Sequence, residues 1–272
     1  MSNVISENLR TVIDVTPIPK MTKLVKICGL RTTEAAEKAI DSGADLLGVI
    51  MVPNRKRSVT HSVASDISQL AREAREKSER ALKTPTEIVA YVQKQQLASH
   101  DLYFRLYHQL LVENGPFLVG VFRNQNIDEV FSLAEKCALD CIQLHGSEDI
   151  SPYLERNKDG KYLIIKRYVI PDHVAEMNDF FTTVCDRASE GFAFPLLDSE
   201  AGGEGKTIDW SLINDLEGKF VLAGGLSPDN LKDTVPYSKN VFGFDVSGGV
   251  EDENGDKDLP KIEQFVLEGK RM

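Results

Sequence analysis

The sequence is short of several things, and each shortage removes a class of function. It has 4 cysteines among 272 residues, and no two form a CxxC pair. That excludes disulfide-stapled scaffolds and zinc sites built on paired cysteines. The 5 histidines share no metal-ligand spacing with those cysteines, so no metal is expected. No apolar run approaches the ~20 residues that span a bilayer, and no cationic-apolar leader opens the chain. With so few thiols, the expectation is a soluble cytoplasmic protein in a reduced compartment, without membrane contact. Positive charge is scarce too: 32 Lys and Arg against 42 Asp and Glu give a formal charge of −10. No basic face can dominate such a surface, which argues against a nucleic-acid partner. An anionic ligand must then be held by local N–H groups and a few placed cations.

Three glycine-ended apolar runs near the C-terminus are the most informative feature present. They are FAFPLLDSEAGGEG (192–205), FVLAGGLSPDN (220–230) and VFGFDVSGGVE (241–251). Each reads as a buried strand whose end meets a glycine turn. Asp209 before Trp210 and Ser227 before Pro228 are good helix starts. Strand-glycine-helix units repeating at roughly 20–30 residues predict parallel βα units. Consecutive glycines leave backbone N–H groups open to a close-approaching anion, which predicts a phosphate site. Gly224 and Gly225, then Ser247, Gly248 and Gly249, are the candidate cradle.

Residues 1–21 are polar and aperiodic, and are read as an N-terminal extension to a single unit, 22–272. Strand-like runs follow in order: LVKIC, DLLGVIMV, FLVGVF, CIQLH, YLIIK, FPLLD, FVLAG and FGFDV. Eight parallel strands with intervening helices predict an α/β fold, the (β/α)8 TIM barrel. A helix capped by Thr32 or Thr33 and closed by Gly43 follows the first. Between the second and third runs lies a helical insertion at about 71–114, with a capping-box start at Thr84, Pro85 and Glu87. It either decorates the barrel or meets another chain, and its charge-rich AREAREKSER stretch favours an exposed surface. Cys137 and Cys141 straddle a helix-to-strand junction, as buried structural thiols.

In such a barrel the active site lies at the C-terminal strand ends. Polar residues there are Cys28, Arg57, Asp198 and Asp245. Lys26 projects to the same face as Cys28, two residues on. It either favours the thiolate or is an interior residue with a carboxylate partner.

At these residues the chain resembles a known family. KICGL, PNRKR, VGVFRN, IQLHG, LLDSEAGGEGKTIDW, LAGGLSPDN and DVSGGVE are similar, in order, to the motifs of phosphoribosylanthranilate isomerase. The resemblance runs from about residue 24 to the C-terminus, apart from the helical insertion. It implies an Amadori rearrangement of a phosphorylated aminoaldose, with no cofactor. By the same resemblance Cys28 is the general base, Asp198 the general acid, and Arg57 the residue that meets the anthranilate carboxylate. Asp245 either touches the ribose hydroxyls or orders its own loop, and His145 takes a supporting hydrogen-bonding place. Gly202, Gly203 and Gly205 are expected to form a lid loop. A related barrel such as ribulose-phosphate epimerase would favour metal-binding histidines, and the KICG cysteine argues against it. The assembly is expected to be a monomer or weak homodimer.

Overall fold

The computed structural model describes residues 22–198, 209–214, 216 and 218–272. The N-terminal extension and the lid glycines Gly202, Gly203 and Gly205 lie outside them.

The strands carry apolar residues on both faces, because a parallel barrel buries its strands against an interior and a helical shell. Those strands are β1 (Leu24–Ile27), β2 (Leu46–Ile50), β3 (Phe117–Phe122), β4 (Cys141–Leu144), β5 (Leu163–Val169), β6 (Phe192–Asp198), β7 (Phe220–Leu222) and β8 (Val241–Val246). They pair in sequence order and close as a barrel, with β8 returning to β1. On the closing seam Lys26 is the register partner of Asp245.

The helical shell follows local capping chemistry. Helix α1 (Thr33–Ser42) starts where Thr32 accepts from the Ala35 amide and ends at Gly43, whose φ of 94° suits glycine. Helix α2 (His61–Lys77) returns the chain from β2, and α3 (Pro85–Lys94) opens with the reciprocal Thr84–Glu87 capping box. Then come α4 (His100–Asn114), α5 (Ile127–Lys136), α6 (Ser151–Arg156), α7 (Val174–Phe181) and α8 (Leu259–Arg271). After β6 and β7 the described returns are 3-10 turns, Trp210–Ile213 and Leu231–Tyr237. The second begins after Asn230 rather than at Ser227. The Asn230 side chain accepts from the Ser227 amide (2.8 Å) and donates to the Gly225 carbonyl (2.8 Å), which holds 225–230 as a loop.

The helical insertion floors the barrel. Tyr103 on α4 donates to the carbonyl of Phe192, the first residue of β6, at 2.6 Å. His108 stacks on Phe242 near the start of β8, ring centroids 5.1 Å apart. Both contacts lie at the N-terminal strand ends, away from the catalytic face. The AREAREKSER stretch is not wholly on the surface, because Arg75 is buried. Its guanidinium forks onto Asp140 at 3.0 and 3.1 Å, donates to the Pro116 carbonyl at 2.5 Å, and lies 4.8 Å from the Phe117 ring centre. Asp140 also accepts from the Leu118 amide (2.8 Å), so the pair ties α2 to β3 and β4. Removing one partner of a buried pair leaves an uncompensated charge, typically costing about 3–5 kcal/mol. Arg75→Met should therefore lower stability by about that much in urea unfolding. A change below about 1 kcal/mol, as for an exposed pair, would contradict this.

Candidate active site

At the C-terminal strand ends lies a cavity of about 330 Å³, at the lower end of ligand-pocket sizes. Its walls include Cys28, Arg57 and Asp198, with Gly224 and Gly225 and the run from Asp245 to Gly249. Each described residue singled out as a site candidate therefore faces one space. Gly202, Gly203 and Gly205 cannot be placed, being outside the described residues.

Cys28 extends β1 by one rung, its amide donating to the Val246 carbonyl at 2.8 Å. Two glycines make room around it. A Cβ at Gly48 on β2 would lie 2.8 Å from the Cys28 sulfur. At Gly29, φ is +76° and a Cβ would lie 2.9 Å from the Ser247 hydroxyl. Lys26, fully buried, donates to Asp245 Oδ1 at 2.7 Å, and its charge acts on the Cys28 thiol. The carboxylate partner left open for Lys26 is thus present. Burial is the largest influence on the thiol and pushes its pKa up. The Lys26 ammonium pulls it down, Asp245 pushes it up, and Lys257 adds a smaller downward pull.

Asp198 ends β6 and is buried, but in a polar setting rather than an apolar one. His145 Nε2 and Arg167 Nε each lie 3.6 Å from its Oδ2. Burial, with Arg167 and Lys26 adding to it, pushes the His145 pKa down to about 3. The ring is therefore neutral at ordinary pH, and its approach to Asp198 is dipolar rather than ionic. Gln143 Nε2 donates to His145 Nδ1 at 3.3 Å, which leaves the ring proton on Nε2, facing Asp198.

The candidate anion cradle comes from the loops after β7 and β8. Gly224 and Gly225 take φ of 88° and 66°, the left-handed region. A Cβ at Gly249 would fall 1.9 Å from the Leu226 carbonyl, so the two loops meet backbone to backbone. Beyond Ser247 the chain makes a three-residue 3-10 turn, Gly248–Val250. Arg57 reaches this loop: its guanidinium forks onto Glu251 at 2.5 and 3.0 Å, and Lys257 also donates to Glu251 at 3.2 Å.

Sequence reasoning missed Gln143, Arg167, Glu251 and Lys257. Gln143 and Arg167 look like ordinary strand residues. Glu251 and Lys257 sit in a polar stretch whose only signal is its nearness to SGG. Among the described residues, no group of three or more His, Cys, Asp and Glu is placed to hold a metal ion. No described helix is long and apolar enough to cross a membrane.

The charge arrangement around Cys28 makes opposite predictions for its two neighbours. Asp245→Asn removes a charge that opposes the thiolate, so any thiolate-dependent activity should gain its ascending pH limb at lower pH. Lys26→Met removes the stabilising cation and should move that limb to higher pH. Shifts of the same sign in pH–rate profiles would contradict the electrostatic account.

Comparison with known proteins agrees with this geometry. The family description "N-(5'phosphoribosyl)anthranilate (PRA) isomerase" matches residues 73–268. A Candida albicans N-(5'-phosphoribosyl)anthranilate isomerase is 45% identical over 249 residues, covering 91% of this chain and 97% of that protein. Its Komagataella pastoris counterpart is 42% identical, covering 89% and 98%. Among solved structures, the Thermotoga maritima phosphoribosyl anthranilate isomerase is 27% identical with a TM-score of 0.64, covering 92% of this chain and 100% of that one. A phosphoribosyl anthranilate isomerase structure in complex with reduced 1-(o-carboxyphenylamino)-1-deoxyribulose 5-phosphate is also 27% identical, with a TM-score of 0.61 and the same coverage. With the barrel and its cavity, these matches establish that the chain belongs to the N-(5'-phosphoribosyl)anthranilate isomerase family.

Proposed function

We propose that the protein converts N-(5'-phosphoribosyl)anthranilate, an aminoaldose, to 1-(2-carboxyphenylamino)-1-deoxyribulose 5-phosphate in tryptophan biosynthesis. One observation carries the mechanism: the order of strands around the barrel. The two glycine loops follow β7 and β8, and these strands lie between β6, which bears Asp198, and β1, which leads into Cys28. A phosphate anchored on Gly224, Gly225, Ser247, Gly248 and Gly249 leaves its ribose between the acid and the base. The loop bearing Arg57 follows β2, next around the barrel, where a guanidinium can meet the anthranilate carboxylate.

The reaction then needs two proton transfers. Asp198 gives its proton to the ribose ring oxygen as the bond from that oxygen to C1′ breaks. The nitrogen lone pair forms the C1′–N double bond, leaving a positive imine. Arg167 steadies the carboxylate that remains. Cys28, as thiolate, takes the proton from C2′, and the released pair forms a C1′–C2′ double bond as the imine electrons return to nitrogen. The enolamine gains a proton at C1′ and loses its hydroxyl proton, giving the ketone. The imine nitrogen is the electron sink, so the chemistry calls for no cofactor.

The Lys26 ammonium favours the thiolate where burial alone would suppress it. Asp245, held by Lys26 at the cavity wall, can also accept from a ribose hydroxyl. The proposed assembly is a monomer or weak homodimer.

Fluorescence-monitored consumption of N-(5'-phosphoribosyl)anthranilate by the purified protein tests the reading, and no turnover would sink it. Each proton-transfer group is worth roughly 10²–10⁴-fold. Cys28→Ala should abolish turnover while sparing the fold; near-normal rates would remove Cys28 as the base. Asp198→Asn should lower kcat far more than it raises KM, and a pure KM effect would make Asp198 a binding residue instead.

A further inference from the structure

Arg57 and Lys257 share one carboxylate, Glu251, at the lip of the anion cradle. Glu251 is itself fixed by its backbone. Its amide donates to the Gly248 carbonyl at 3.0 Å, and its carbonyl accepts from Lys261 Nζ at 2.8 Å. Its side chain is 9% exposed. Both oxygens engage Arg57, Oε1 toward Nε and Oε2 toward Nη2. A two-point fork fixes the guanidinium plane as well as its position. Lys257 completes the assembly by donating to Glu251 Oε1 and, at 2.8 Å, to the Ser247 carbonyl. Glu251 stays ionised: burial pushes its carboxyl up, but Arg57 and Lys257 outweigh that and hold it below the usual range.

The placement matters because the guanidinium stands beside the phosphate loop. A Cβ on Gly248 would lie 3.1 Å from Arg57 Nη2. A phosphate carries more charge than a carboxylate and also accepts bidentate guanidinium bonds. Without the fork, a phosphate on the neighbouring loop can compete for the guanidinium. We propose that Glu251 is a positioning residue that holds Arg57 for the anthranilate carboxylate and keeps it off the substrate phosphate. This rests on Arg57 being the carboxylate ligand of the proposed reaction.

The test compares the full-length protein with Glu251→Gln, Arg57→Ala and the double variant, using N-(5'-phosphoribosyl)anthranilate as substrate and inorganic phosphate as inhibitor. Glu251→Gln should raise KM about fivefold or more, with kcat within about threefold. It should also tighten inorganic phosphate, lowering its inhibition constant by about threefold, because a guanidinium no longer forked by Glu251 can turn to that anion. In the Arg57→Ala background both changes should vanish, the non-additivity expected of groups acting through one contact. Unchanged or weakened phosphate inhibition would overturn the proposal, as would the same changes persisting without Arg57. If the glutamine variant does not fold, Glu251→Asp, which keeps the charge but shortens the reach, should give the same signs at smaller size. Calorimetric titration with inorganic phosphate reads the phosphate arm directly. Failure of the wild-type protein to turn over substrate would overturn the activity reading, whereas the phosphate arm would still decide the role of Glu251.

Discussion

Closure of the barrel between its first and last strands is the constraint on which the site depends. Lys26 and Asp245 face each other across that seam as register partners, and their side chains meet at 2.7 Å in the interior. An ion pair so deep is a poor source of net stability, because desolvation offsets much of the attraction. Its consequence is local. It sets the charge beside the Cys28 sulfur and fixes the level at which β1 meets β8. The Cys28 amide bonds the Val246 carbonyl one rung further on, and Gly29 then passes close to Ser247. A one-residue slip at this seam would turn Lys26 and Asp245 to opposite faces and carry Cys28 away from the glycine loops.

Around the cavity, several cations are set against carboxylates, while Arg55, Lys56 and Arg123 also line it. Lys26 is held by Asp245, Arg57 and Lys257 by Glu251, and Arg167 stands beside Asp198. In a chain of net charge −10, such pairing holds these guanidinium and ammonium groups at chosen positions. The opposite end of the barrel follows a different logic. There α4 covers the strand starts with aromatic side chains, and the Arg75–Asp140 fork ties α2 to β3 and β4. Chemistry and stability are separated along the barrel axis, as this fold allows.

Much of this was legible from local signals. The apolar runs are strands because both their faces are buried, and their number and spacing indicate the closed barrel. Thr32, Gly43 and the Thr84–Glu87 pair mark helix ends because capping uses neighbouring residues. Cys28, Arg57, Asp198 and the C-terminal glycines stood out through motif blocks. Other features were not legible. The helical insertion looked like surface decoration because periodicity shows that a face is apolar but not what covers it. Arg75 looked solvated because its partner, Asp140, is 65 residues away.

The sequence alone determined the barrel, the glycine turns that make its last two loops candidates for a phosphate, and the family resemblance that singles out Cys28 and Asp198. These follow from hydrophobic runs, glycine backbone freedom and short blocks, all properties of neighbouring residues. Only the tertiary structure decided the partners. It placed Lys26 between Asp245 and the thiol, His145 and Arg167 beside Asp198, and Glu251 between Arg57 and Lys257. Each arrangement joins residues far apart in the chain, and charge and hydrogen bonding depend on distances set when the barrel closes.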